Sequence, residues 1–182
     1  MRKTWTHSSL LPGFLTLALI STAAAQGAAR MTNVEGDSLS GHHVILPNDA
    51  SGKIAVLIFG FTKASKVATT DWGKRISNNF KGQSDFVLYQ LPVLEEVPRL
   101  FRGMAISGMR KGVPEEMYDH FVPILNGEAE LKKLVSYKEP DDAYMVVLNR
   151  AGEIAGQIHG PFTDAANSQL RAQIASLSMG PK

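Results

Sequence analysis

Apolar residues along this chain fall into two periods. Residues 54–59 (Ile-Ala-Val-Leu-Ile-Phe) are continuously apolar, which predicts a central strand covered on both faces. Ala68, Trp72, Ile76 and Phe80 then recur every fourth position, one face of a helix. Residues 85–91 predict a second strand. Val97, Leu100, Phe101 and Met104 form another helical stripe, with Arg99 and Arg102 on the face away from it. Pro98 suits that helix's first turn, and Gly103, Gly108 and Gly112 weaken its end. Pro114 opens a further helical start, residues 121–125 suggest a short strand, and 128–135 a short helix with Leu131, Leu134 and Val135 inward. Residues 144–148 are a second strongly apolar strand. The turn Asn149-Arg150-Ala151-Gly152 returns the chain as a weaker strand over 153–159, with Ile154, Gly156 and Ile158 on one face, a β-hairpin. A last helix begins near Thr163, which can cap it, and carries Ala166, Leu170, Ile174 and Leu177 inward. Earlier, residues 39–46 suggest a short strand and 47–52 a turn, while 26–36 are small and polar, a flexible leader.

The order strand, helix, strand, helices, hairpin, helix predicts an α/β domain. One central mixed sheet with helices on both faces makes a three-layer α/β/α sandwich. No repeat, low-complexity run or linker divides it.

Composition changes this picture at the N-terminus. Arg2 and Lys3, the apolar run over 10–20 and Ala23, Ala24 and Ala25 form a signal-peptide pattern over residues 1–25, with cleavage expected before Gln26. The apolar run contains Pro12 and Gly13 and is shorter than the roughly 20 residues of a spanning helix. An uncleaved anchor is the competing reading. The expected location is periplasmic or secreted. Arg2 and Lys3 account for two of the 19 Lys+Arg, leaving 17 against 17 Asp+Glu after residue 25. A neutral mature chain gives no support for nucleic-acid binding. The chain has no cysteine. That removes a thiol nucleophile, a thiolate metal site and any redox-active disulfide, so no thiol-disulfide oxidoreductase or peroxidase activity is expected.

Gly52-Lys53, the buried strand and Phe59-Gly60-Phe61-Thr62, with the later Asn149-Arg150-Ala151-Gly152 hairpin, resemble Sco-type copper chaperones and peroxiredoxin-like proteins. The likeness covers roughly residues 36–177 and implies a thioredoxin-like domain over 37–182. Sco-type proteins place a C-x-x-x-C pair just after that threonine; Ala64 and Ala68 occupy the matching positions. Their third ligand, a histidine, matches a stretch that here reads Pro140-Asp141-Asp142-Ala143. The peroxidatic cysteine of peroxiredoxins is missing as well, and the cis-proline usual before the hairpin strand has no counterpart. Residues 141–160 are similar to the hairpin of mitochondrial ATP synthase assembly factors, a thioredoxin-like group that functions without the cysteine pair.

Other candidate chemistry is sparse. His42 and His43 point to opposite faces of a strand and do not chelate together. His120 and His159 are isolated, and the carboxylate pairs Glu95-Glu96, Glu115-Glu116 and Asp141-Asp142 read as helix starts and loops. No Gly-x-Ser-x-Gly, Walker or dinucleotide motif occurs. Three segments remain as a binding surface. Thr62, Lys63, Ser65 and Lys66 sit at a helix N-terminus, which attracts anions. Segment 99–112 carries Arg99, Arg102, Arg110 and Lys111 beside Met109 and no acidic residue, suited to a partner protein or an anionic lipid surface. Asp141 and Asp142 border the degenerate edge. The expected function is therefore redox-inactive protein binding, as an assembly or chaperone factor for an envelope complex. The expected partner is a membrane-complex subunit, with no cofactor, metal or haem. The alternative is a metal carrier or non-thiol enzyme using Asp141, Asp142, His120 or His159.

Overall fold

Strand β3 (Ile54–Gly60) organises the molecule, and the computed structural model describes it within residues 30–179. The signal peptide, its cleavage point and residues 26–29 of the leader lie outside the described residues. Strict alternation along β3 sends its side chains into two cores. Ala55, Leu57 and Phe59 pack on one side, and Ile54, Val56 and Ile58 on the other. Burial on both sides is why six apolar residues run without a polar break.

Helix α1 (Lys66–Asn79) follows, then strand β4 (Phe86–Pro92), which pairs in parallel with β3. Helix α2 (Arg99–Gly112), a 3-10 turn over Glu115–His120 and helix α3 (Glu128–Leu134) come next. Strands β5 (Ala143–Leu148) and β6 (Ile154–Gly160) form the hairpin, and helix α4 (Asp164–Ser178) ends the chain. The sheet order is β4-β3-β5-β6, with β5 antiparallel to both neighbours, so the sheet is mixed. Trp72 and Ile76 of α1 and Leu170 and Ile174 of α4 cover one face. Thr163 caps α4 as its type predicts, its Oγ1 accepting the Ala166 amide at 3.1 Å.

The other face is covered differently from the simple sandwich. Residues 34–36 are not a leader. Strand β1 (Val34–Asp37) pairs antiparallel with β2 (His43–Leu46), and this hairpin packs with α3 over the second core. Met31 and Val34 are buried there. Gly36, one of the small residues that suggested a leader, is required by the packing of this strand. A Cβ on it would lie 2.8 Å from the Pro123 carbonyl oxygen, so the strand can approach that backbone only as glycine. Residues 121–125 make two isolated parallel bridges, Phe121 to Gln90 and Ile124 to Val93, rather than a strand.

Two apolar patterns also resolve differently. A bulge at Ala155 of β6, between the Val147 and Leu148 pairs, shifts the register so that Leu148 faces Ile154 while Val147 faces Gly156. The extra residue turns Ile154 into one core and Ile158 into the other, so they do not share a face. Helix α2 buries no residue at all. An apolar stripe ordinarily turns to a core. Here Leu100 and Met104 are 86% and 72% exposed, and Phe101 is half-exposed.

Candidate functional site

The C-terminal end of β3 delivers the chain to the loop before α1, and Thr62 closes that loop. Its hydroxyl donates to the Pro140 carbonyl at 2.7 Å. The same oxygen accepts the amides of Ala64 and Ser65 at 3.1 and 3.2 Å. Ser65 is buried, donating its hydroxyl to the Thr62 carbonyl at 2.9 Å, and its own carbonyl accepts the Thr69 amide. Thr62 thus takes up the Ala64 and Ser65 amides, and the Ser65 hydroxyl is turned inward rather than toward a ligand. Lys63, Ala64, Lys66 and Val67 line the exposed rim, whereas Ala68 turns into the core beside Trp72.

The late loop is held from beneath. The Tyr144 ring is buried at the start of β5, edge-on to Phe61 with centroids 5.6 Å apart. Its hydroxyl accepts the Lys138 and Glu139 amides, both at 2.9 Å, and donates to the Glu139 carbonyl at 3.0 Å. Asp142 Oδ2 stands 2.9 Å from His159 Nδ1, and the His159 ring stacks on Tyr144. Asp142 is mostly covered, while Asp141 is exposed. Residues 62–66 and 140–142 thus form one edge, fastened by Thr62.

A Thr62→Val substitution keeps the shape and removes the fastener. It leaves two amides and the Pro140 carbonyl without their partner, at an expected cost of about 1–2 kcal/mol for this partly hydrated site. Hydrogen exchange should speed up in residues 62–66 and 138–142 together. Acceleration confined to the first segment would show that the bond across the loops holds nothing.

Segment 99–112 stands apart from this edge. Among the described residues, no hydrogen bond or ion pair joins α2 to either loop. The helix is tied at its ends instead. Arg102 folds back onto the Val97 and Glu95 carbonyls at 2.9 and 2.7 Å, and Arg110 Nε donates to the Leu39 carbonyl at 3.1 Å. Arg102 therefore does not share an outer face with Arg99. Arg99 and Lys111 are exposed and Met109 is half-buried.

The remaining histidines are dispersed. His42 lies 3.0 Å from Asp119, and His43 lies 2.9 Å from Asp37, whose hydrogen bond raises the imidazole above its ordinary value. The His120 ring lies tilted against Tyr89, centroids 5.0 Å apart, and burial pushes it below the ordinary value. Among the described residues no three His, Asp or Glu side chains converge as a metal site. His120 is not brought to Asp142 and His159. A cleft of about 390 Å³ opens elsewhere, between residues 32–35 and α3.

One cluster escaped the sequence reading. Glu128 is a buried carboxylate at the start of α3, 2.6 Å from Lys132 Nζ. Lys132 also meets Glu96 at 3.1 Å, and the Glu128 contact, followed by that of Glu96, pushes its amine up to about 12. Glu95 caps the helix from outside, accepting the Glu128 amide at 2.6 Å because Gly127 offers no capping side chain. The i,i+4 spacing of Glu128 and Lys132 was the available signal.

Comparison with known proteins fixes the fold. No family model matches the chain, and no curated protein matches it in sequence. Solved structures do match. A DsbE thiol:disulfide interchange protein from Chlorobium tepidum is 17% identical, with TM-score 0.57 over 82% of this chain and 96% of its own. BsSco, of the Sco family of cytochrome c oxidase assembly proteins, is 11% identical, with TM-score 0.59 over 84% and 96%. The exposed lipoprotein thioredoxin Etrx1 from Streptococcus pneumoniae is 13% identical, with TM-score 0.53 over 78% and 98%. The chain has the thioredoxin-like α/β fold and carries no cysteine on it.

Proposed function

We propose that this is an exported, redox-inactive thioredoxin-fold protein that works by binding a protein partner, as an assembly or chaperone factor for a membrane-bound envelope complex. One observation carries the reading. The edge that bears the reactive cysteines in thioredoxin-like proteins has Ala64 and Ala68 here and is sealed by Thr62, while Lys63, Lys66, Val67 and Asp141 stay exposed around it. A scaffold without its reactive group retains only its surface. The signal-peptide pattern over residues 1–25 supports export. The assembly role named for BsSco supports the choice among binding functions.

A photo-crosslinking residue placed in turn at Val67 and Asp141 in cells tests this. Both positions should yield the same adduct, identified by mass spectrometry as a subunit of one membrane complex, and Ala175 on α4 should yield none. A folded protein with no adduct at either rim position would overturn the reading.

The Asp142–His159 contact favours one second reading, a metal carrier or non-thiol enzyme built on that pair. Stoichiometric metal in the purified protein, lost in Asp142→Asn, is its expected signature. A folded, metal-free protein removes the metal version.

A further inference from the structure

Helix α2 has no part in the edge described above, and its exposed apolar residues meet no core. Leu100, Phe101 and Met104 project from its outer side. Arg99, Arg102, Arg110 and Lys111 lie on the same helix with no acidic residue among them. Arg102 and Arg110 bond only neutral carbonyls, so their charge is not cancelled. No carboxylate forms an ion pair with any of the four among the described residues. The two carboxylates that precede the helix, Glu95 and Glu96, are engaged by α3.

We infer that α2 docks the domain onto an anionic phospholipid surface, with Leu100, Phe101 and Met104 entering the interface and Arg99 and Lys111 meeting headgroup phosphates. An apolar ridge flanked by cations on a short amphipathic helix is the arrangement that lies in a lipid interface. Spanning is not involved, since no helix among the described residues is long and apolar enough to cross a membrane. A second copy of this chain is disfavoured because antiparallel α2 helices would set Arg99 against Arg110 and Lys111. A protein partner fits less well on area. A stable protein interface covers about 800 Å² on each side, and three side chains on a convex helix offer only a few hundred Å². A fluid anionic surface accepts a convex ridge without a matching groove. This inference goes beyond the proposed function, which rests on a different edge, so either can fail alone.

The absence of cysteine makes the test site-specific, and it keeps any contribution of the leader separate. Met104→Cys carries the chain's one thiol and can be labelled with an environment-sensitive fluorophore; Ala175→Cys on α4 is the control. Vesicles of equal phosphatidylglycerol and phosphatidylcholine should blue-shift and brighten the label at 104 and leave 175 unchanged. Phosphatidylcholine alone should do neither. Adding R99E and K111E should weaken the response roughly tenfold or more, each reversal acting on a headgroup contact, with the far-ultraviolet spectrum unchanged. No response at 104 to the anionic vesicles, or an equal response from the charge-reversed protein, overturns the inference. So does a protein adduct from a photo-crosslinker at Leu100 in cells, which would make α2 a protein-binding face.

Discussion

Trp72→Ala should cost about 3–5 kcal/mol of stability, the range for removing a large buried aromatic. For a domain of this size, that lowers the melting midpoint by roughly 6–20 °C. Trp72 is fully buried on α1, edge-on to Phe162 at 5.1 Å, and its indole N–H donates to the Gly160 carbonyl at 3.1 Å. The ring therefore fills the core under α1 and ties that helix to the end of β6. Its loss removes packing and leaves a cavity beside Ile76 and Leu170, which belong to rigid elements that cannot close over it. Trp72→Phe separates the two contributions. It keeps most of the packing and strands only the Gly160 carbonyl, so about 1–3 kcal/mol should be lost. Denaturant midpoints measure both variants. A Trp72→Ala loss under 1 kcal/mol would mean that α1 is not seated on this residue. Gly160 directly follows His159, so the substitution should also loosen the Asp142–His159 contact, visible as faster exchange at the end of β6.

That core was legible before the structure because it depends on local spacing. The four-residue recurrence of Ala68, Trp72 and Ile76 and the unbroken run in β3 each specify an element and its covered side. The Asn149–Gly152 turn likewise fixed the hairpin. Its facing residues were missed, because one bulge at Ala155 reverses the alternation, and the neighbouring Gly156, the one local signal of a bulge, was read as an ordinary strand position. β1 was hidden for a related reason, since Gly36 answers to Pro123, 87 positions later, and not to its neighbours.

The candidate site was legible as a location and illegible as chemistry. Ala64 and Ala68 were found by resemblance; Ala64 lies on the exposed rim and Ala68 faces the core. That Thr62 would tie this loop to Pro140, 78 residues away, is a contact no local pattern announces. For α2 the helical stripe of Leu100, Phe101 and Met104 matches the structure, while Val97 precedes the helix. Periodicity establishes that a helix has an apolar face, but the direction of that face is settled by what else packs nearby. In this chain the β1–β2 hairpin and α3 supply the second cover of the sheet, and α2 is left with its stripe in solvent.

Lys132→Met should be the most damaging change at the surface, because its effect falls on a buried charge. Glu128 is 5% exposed, and neither carboxylate oxygen receives an aligned hydrogen bond. Lys132 Nζ, at 2.6 Å, is the cation that compensates it. Removing one partner of a covered pair costs about 3–5 kcal/mol; Lys132 keeps 29% of its side chain in solvent, which sets the expectation near the lower end, about 3 kcal/mol. Adding Glu128→Gln removes the stranded charge and should recover part of that loss. A strictly additive double variant would show that the two groups do not interact. The pH response has a definite sign. The Lys132 amine is held at about 12, above the ordinary 10.5, so its stabilisation is complete below 10.5 and fades as pH rises through 12. Glu96 is held below its ordinary value by Lys132, so its smaller share is present above 4.5 and fades in acid. Lys132→Met should therefore flatten the loss of stability at the alkaline end. The same cluster fixes the turn that launches α2, since Glu95 holds the Glu128 amide with its side chain and Arg102 with its carbonyl. Faster exchange in residues 95–104 of Lys132→Met, with the sheet unchanged, would tie the buried pair to the placement of the exposed helix.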